Sequence, residues 1–167
     1  MPAGAEFRPE SVIRLLGRHR VRYVLIGGLA AVTHGAPLIT QDIDACYARD
    51  DPNLRQLAGA LAEVHAELRG GDPGLPFRPD AKTLRAGDAF TFTTDIGWLD
   101  LMGTPAGTTG YEDLARTADA FDLFGYRVLV ASVEDLIRMK RAAGRPKDLL
   151  ALEELGALRE ELSGHRP

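Results

Sequence analysis

The residues best suited to chemistry fall in two short groups, Gly27-Gly28 and Asp42-Ile43-Asp44, with thirteen residues between them. The first group ends an apolar run, Val24-Leu25-Ile26. Glycine has no Cβ and tolerates positive φ, so a Gly-Gly turn lets a large anion approach the backbone. A helix opening at that turn would aim its unpaired N–H groups and positive dipole end at the anion. In the second group, a strand would put both aspartates on one face, about 6.6 Å apart. Paired carboxylates suit hard divalent cations, which prefer oxygen ligands. An anion cradle beside a hard-cation site is what a nucleoside triphosphate with Mg²⁺ requires. A third candidate group is basic: Arg138, Lys140, Arg141, Arg145 and Lys147 place five cations in ten residues. On a helix, Lys140 shares a side with Leu136 and Ile137, so it can reach along the core edge into a cleft.

The elements that must position these residues follow from apolar spacing and turn residues. Pro9–His19 reads as a helix with Val12, Ile13, Leu15 and Leu16 inward. Arg22–Ile26 is a strand, Gly28–His34 a short helix ended by Gly35 and Pro37, and Ile43–Ala48 a second strand. Asp51-Pro52 starts a helix as N-cap and first position, with Leu54, Leu57, Ala58, Leu61, Val64 and Leu68 as its buried stripe. Gly70–Pro79 is a loop. Thr91–Thr94 and Trp98–Met102 form a hairpin through Asp95-Ile96-Gly97, and Gly103–Gly110 is again loop. A short helix spans Tyr111–Arg116, and a second hairpin turns at Gly125. Ser132-Val133-Glu134-Asp135 opens a helix to about Ala143 in the manner of a capping box. Beyond Arg145-Pro146 a last helix carries Leu149, Leu152, Leu155 and Leu162. This order predicts an α+β fold, a small mixed sheet flanked by helices with a helical C-terminus.

Composition sets the frame. The 167 residues are 45% hydrophobic and 26% charged, as in a globular protein. That length suits one domain, with a core over about 20–131 and C-terminal helices over about 132–162. No apolar run approaches a membrane span, residues 1–6 lack signal-peptide character, and Cys46 stands alone. Cytoplasm is the expected compartment, without disulfides or a multi-cysteine zinc site. A net charge of −4 argues against bulk attraction to nucleic acid. His34 reads as packing or a helix-end bond rather than a base. Thr40 either orients a phosphate or caps the start of the strand, and Cys46 reads as a small buried residue.

Gly27-Gly28 followed by Asp42-Ile43-Asp44 resembles the defining motif of the nucleotidyltransferase superfamily that shares the DNA polymerase β catalytic core. The resemblance implies that fold and a third carboxylate on a strand beside the first pair. Asp100, between apolar neighbours in Trp98-Leu99-Asp100-Leu101, fits that place, since a buried carboxylate is costly without a partner. Asp95 competes for it but reads as a turn residue. Glu134–Leu149, with Lys140 and Arg145-Pro146-Lys147-Asp148, resembles the corresponding region of AbiEii-type nucleotidyltransferases, which include toxins of toxin–antitoxin systems. That resemblance implies that Lys140 touches the triphosphate and Asp148 fixes the lysine or the nucleotide. Asp42, Asp44 and Asp100 would hold two Mg²⁺ ions, with Mn²⁺ as substitute. Gly27, Gly28, Thr40, Lys140, Arg145 and Asp148 would bind the NTP. The sequence departs from the family where Gly28 replaces a common serine, and where Ile39-Thr40-Gln41 lacks an arginine before the aspartates.

The implied activity is NMP transfer from an NTP to an acceptor hydroxyl. The toxin resemblance points to tRNA or another cellular acceptor and to a cognate antitoxin. Two rivals stand beside it: a transferase acting on a small hydroxylated molecule such as an aminoglycoside, and a non-catalytic nucleotide-binding or antitoxin-like module.

Overall fold

Strand β1 (Tyr23–Ile26) is buried along its whole length, as its unbroken apolar sequence requires of a strand covered on both faces. The computed structural model describes residues 7–72 and 77–164. Around β1 lie β2 (Asp42–Tyr47), β3 (Glu67–Leu68), β4 (Ala89–Thr94), β5 (Gly97–Met102), β6 (Asp119–Leu123) and β7 (Tyr126–Val130). They form one mixed sheet in the order β3-β4-β5-β2-β1-β7-β6. β2 runs antiparallel to β1 and parallel to β5, while β1 and β7 are parallel. The β4–β5 and β6–β7 pairs are the two expected hairpins.

Helices α1 (Pro9–Arg18), α2 (Gly27–Thr33), α3 (Asp51–Glu63), α4 (Ala81–Ala86), α5 (Tyr111–Thr117), α6 (Val133–Ala143) and α7 (Pro146–Gly164) flank the sheet. The core gathers Val12, Ile13, Leu15 and Leu16 of α1 with Leu54, Leu57 and Leu61 of α3 and the sheet's apolar residues. Ser132 caps α6, its hydroxyl accepting from the Asp135 N–H at 3.1 Å, and Gly144 ends that helix at φ +63°. The architecture is mixed α/β with a helical C-terminus, as the sequence led us to expect.

Three local expectations need correction, and one helix, α4, was not expected. Leu68 is not on α3: that helix ends at Glu63, His65 turns at φ +50°, and Leu68 lies on β3, 37% exposed. Asp50, not Asp51, is the N-cap residue of α3, and its carboxylate binds Arg22 instead of capping. The expected loop at 70–79 is followed by α4, capped by Asp80 accepting from the Thr83 N–H at 2.8 Å. Part of that loop, residues 73–76, lies outside the described residues, as do residues 1–6. On α7, Leu155 and Leu158 are buried while Leu149 and Leu162 are 67% and 42% exposed. At about 100° per residue, Leu149 sits roughly 120° around the helix from Leu155, so a leucine every third residue drifts off one face. No helix among the described residues is long and apolar enough to cross a membrane.

Candidate active site

Strand parity and register assemble the carboxylates. Asp42 and Asp44 project from one face of β2, and the parallel β2–β5 pairing sets Asp44 directly beside Asp100. One oxygen from each of the three residues can be chosen so that all lie within 4.8 Å of one another. Asp95, the competitor for the third place, sits in the β4–β5 turn with its carboxylate 2.6 Å from His65 Nδ1. Burial, reinforced by the charges of Asp42 and Asp100 and offset in part by Lys140, pushes Asp44 up to about 7. Burial also raises Asp100, against the opposing effect of Arg69. Crowded carboxylates under mutual repulsion form a donor set suited to divalent cations with oxygen preference, so Mg²⁺ or Mn²⁺ fits these residues.

The glycine turn abuts this cluster. Gly27 opens α2 at φ +70°, and a Cβ there would collide with Asp44 Oδ2. The position therefore needs glycine for conformation and for space. At Gly28 a Cβ would lie 3.0 Å from Thr40 Oγ1. The Thr40 hydroxyl thus occupies space that a side chain at Gly28 would otherwise claim. It donates to the Asp42 carbonyl at 3.1 Å, so it holds the start of β2.

Helix α6 brings the lysine. Lys140 Nζ lies 3.4 Å from Asp148 Oδ1, and Arg145 Nε lies 2.9 Å from Asp148 Oδ2. Asp148 also accepts from the Arg145 backbone N–H at 3.0 Å, and its side chain is only 2% exposed. The Arg145 hydrogen bonds hold its carboxyl down at about 2, with Lys140 assisting. A cavity of about 590 Å³ collects Gly27, Gly28, Asp42, Asp44, Asp100, Lys140 and Arg145 on one concave surface. Ala31, Leu38, Met139 and Leu155 supply much of its apolar wall. Thr40 and Asp148 are outside that lining and touch it through Gly28 and through Lys140 and Arg145.

His34 donates from Nε2 to the Ala131 carbonyl at 2.9 Å and meets Phe121 edge-on, a packing role. Cys46 is fully buried, and burial pushes its thiol up to about 12.

One residue at the cluster escaped sequence reasoning. Arg69 Nη2 lies 2.7 Å from Asp100 Oδ1, and its guanidinium stacks 4.2 Å from the Trp98 ring centroid. Arg69 falls between the expected helix stripe ending at Leu68 and the loop from Gly70, and nothing local in the sequence points it at the cluster.

No protein-family model matches the chain, and no curated protein shows significant similarity to it. Solved structures do. The lincosamide antibiotic adenylyltransferase LnuA, in its lincomycin-bound form, superposes with a TM-score of 0.59 at 12% identity, over 92% of this chain and 99% of that one. A candidate nucleotidyltransferase from Thermotoga maritima matches at 0.52 and 18% identity, over 96% and 98% of the two chains. An antigenic nucleotidyltransferase-like protein from Paracoccidioides brasiliensis matches at 0.53 and 15%, over 93% and 78%. The chain has the nucleotidyltransferase fold. Within the nucleotidyltransferase fold, the carboxylate cluster lies on the central strands β2 and β5. The glycine turn approaches it from β1 and α2, and Lys140 from α6.

Proposed function

We propose that the protein is a metal-dependent nucleotidyltransferase that moves NMP from an NTP to an acceptor hydroxyl and releases pyrophosphate. The observation that carries this reading is the convergence of Asp42, Asp44 and Asp100 within 4.8 Å on a cavity also lined by Gly27 and Lys140. Gly27, Gly28 and the start of α2 cradle phosphate oxygens with backbone N–H groups, and Thr40 keeps β2 in place beside them. Asp42, Asp44 and Asp100 would hold two Mg²⁺ ions, which when bound neutralise triphosphate charge and lower the pKa of the attacking hydroxyl. Asp100 orients the acceptor hydroxyl and takes its proton as the oxygen attacks the α-phosphorus. The bond from that phosphorus to the bridging oxygen breaks, and the electron pair leaves with pyrophosphate. Lys140 and Arg145 offset the charge that develops there, Asp148 holding both in place.

Two acceptor classes have separate support. The Lys140 and Arg145–Asp148 resemblance to AbiEii-type enzymes favours tRNA or another cellular acceptor, with a cognate antitoxin as partner. The likeness to LnuA over nearly its whole length favours a small hydroxylated molecule. So does the internal pairing of the basic run: Arg138 binds Asp113 and Asp135, while Lys140 and Arg145 bind Asp148. The test is label transfer from each α-³²P-NTP with Mg²⁺, offered total tRNA, lysate protein and a panel of small hydroxylated compounds. An Asp42→Ala/Asp44→Ala double variant serves as control. The labelled product identifies the acceptor class. Label that persists in the double variant would remove these aspartates from the mechanism, and a wild type that transfers to none of them would favour a non-catalytic nucleotide-binding module.

A further inference from the structure

The sheet carries a charged row beyond the three aspartates. Asp44 pairs with Asp100 across β2–β5, and Asp100 pairs with Thr91 across β5–β4. The β3–β4 register, Glu67 to Thr93 and Leu68 to Phe92, continues one step as the Arg69 N–H donates to the Thr91 carbonyl at 2.8 Å. Arg69, Thr91, Asp100 and Asp44 therefore stand side by side across four strands. The Arg69 guanidinium is held three ways: on Asp100 Oδ1 at 2.7 Å, on the Phe92 carbonyl at 3.0 Å, and over the Trp98 ring at 4.2 Å from its centroid. Its Nε is buried without a hydrogen-bond partner, so the pose sacrifices one donor to keep the contact with Asp100.

Guanidinium stays charged under all ordinary conditions. Two cations thus bracket the aspartates, Lys140 from α6 and Arg69 from the β3 edge. Lys140 is tied to Asp148, whereas Arg69 is tied to a member of the cluster itself.

We propose that Arg69 is a positioning residue for Asp100. Clamped on Trp98, it commits one carboxylate oxygen and leaves the other for a cation. Its fixed charge also keeps the cluster's affinity for divalent cations below what three aspartates alone would give. The role belongs to the transfer step and not to NTP binding, and it rests on the nucleotidyl-transfer reading. Attraction of a divalent ion scales with the net charge of its site, and one unit charge within several Å changes binding about tenfold or more even in a wet site. Loss of a residue that orients a metal-site carboxylate typically costs about 10–100-fold in activity. The two effects have opposite signs, and that opposition marks the proposal.

The experiment is Mn²⁺ binding without nucleotide, followed by the electron paramagnetic resonance of free Mn²⁺. Wild type, Arg69→Met, Arg69→Lys and Trp98→Leu would be compared, with transfer kinetics on the same proteins. Arg69→Met should bind Mn²⁺ at least about tenfold more tightly, yet transfer about 10–100-fold more slowly at little-changed KM for NTP. Arg69→Lys keeps the charge and should restore near-native Mn²⁺ affinity with part of the rate. Trp98→Leu, which removes only the stacking surface, should fall between and stands in if Arg69→Met does not fold. A purely structural ion pair would weaken metal binding and rate together. Unchanged or weaker Mn²⁺ binding in Arg69→Met overturns the proposal and leaves the transferase reading standing, as does tighter binding at undiminished rate. Mn²⁺ binding by none of the proteins, wild type included, overturns the metal-dependent reading along with it.

Discussion

Asp44 is the residue whose ionisation the fold disturbs most informatively. Its carboxyl lies near 7 in the folded chain, against an ordinary value of 3.8. Between those values the folded state holds a proton that the unfolded state has lost, so this group makes stability fall as pH rises through that window. Asp44→Asn should therefore raise the melting temperature in EDTA at pH 8 and change it little at pH 4. The same variant should lose stabilisation by Mg²⁺. In the wild type, Mg²⁺ should compete with a proton, so its apparent affinity weakens as pH falls below about 7. Thermal melts at pH 4, 6 and 8, with and without Mg²⁺, check both statements. A wild-type Mg²⁺ affinity that is flat across this range would contradict the shifted carboxyl.

At the scale of elements, the β1–α2 turn and the loop into β2 share one small volume. Gly27→Ala would force φ +70° on a residue with a Cβ, at about 1–2 kcal/mol, and would press on Asp44. Melting temperature and Mg²⁺ response should fall together in that variant. Gly28 differs, since its conformation is ordinary and its neighbour is Thr40. Gly28→Ser alone should lower activity by crowding the threonine. In a Thr40→Ala background the same serine should be tolerated. A double-mutant cycle measures that coupling, expected at about 0.5–3 kcal/mol for residues in contact. Additive effects would show that Thr40 does not take the place of the missing side chain.

For the whole molecule, α6 and α7 act as a unit that carries cations to the sheet. Asp148 is their joint: it binds Lys140 and Arg145 from a nearly buried position. Its carboxyl is held at about 2, so its contribution to stability is present above about 3.8 and is lost as pH falls toward 2. Asp148→Asn should lower the melting temperature at pH 7, flatten the acid limb of the unfolding profile, and raise KM for NTP about tenfold. An unaltered KM would separate α7 from nucleotide binding. The paired cations also bear on partners. With Arg138, Lys140 and Arg145 engaged internally, tRNA binding should depend weakly on salt, with a log–log slope no steeper than about −2. A steeper slope in a filter-binding series would restore the basic run as a nucleic-acid surface.

The sequence by itself determined the elements whose signal is local. Val24-Leu25-Ile26 before two glycines sets the strand and turn, Asp42-Ile43-Asp44 sets a two-carboxylate strand face, and Ser132 and Arg145-Pro146 bracket α6. Such patterns work because side-chain parity, φ preference and capping act within a few residues. Local spacing also favoured Asp100 over Asp95, since only Asp100 interrupts an apolar strand. Tertiary structure decided what depends on register between distant segments. It decided that Asp100 stands beside Asp44, that Thr40 fills the space next to Gly28, and that Arg69 reaches the cluster from β3. It also overruled the leucine ladder of α7, because a helix buries only the face its neighbours cover, and the reach of α3 to Leu68, because that helix ends at Glu63 and the chain turns at His65. No spacing within the chain encodes the Arg69–Asp100 contact: it spans 31 positions and exists only because β3, β4 and β5 pair side by side.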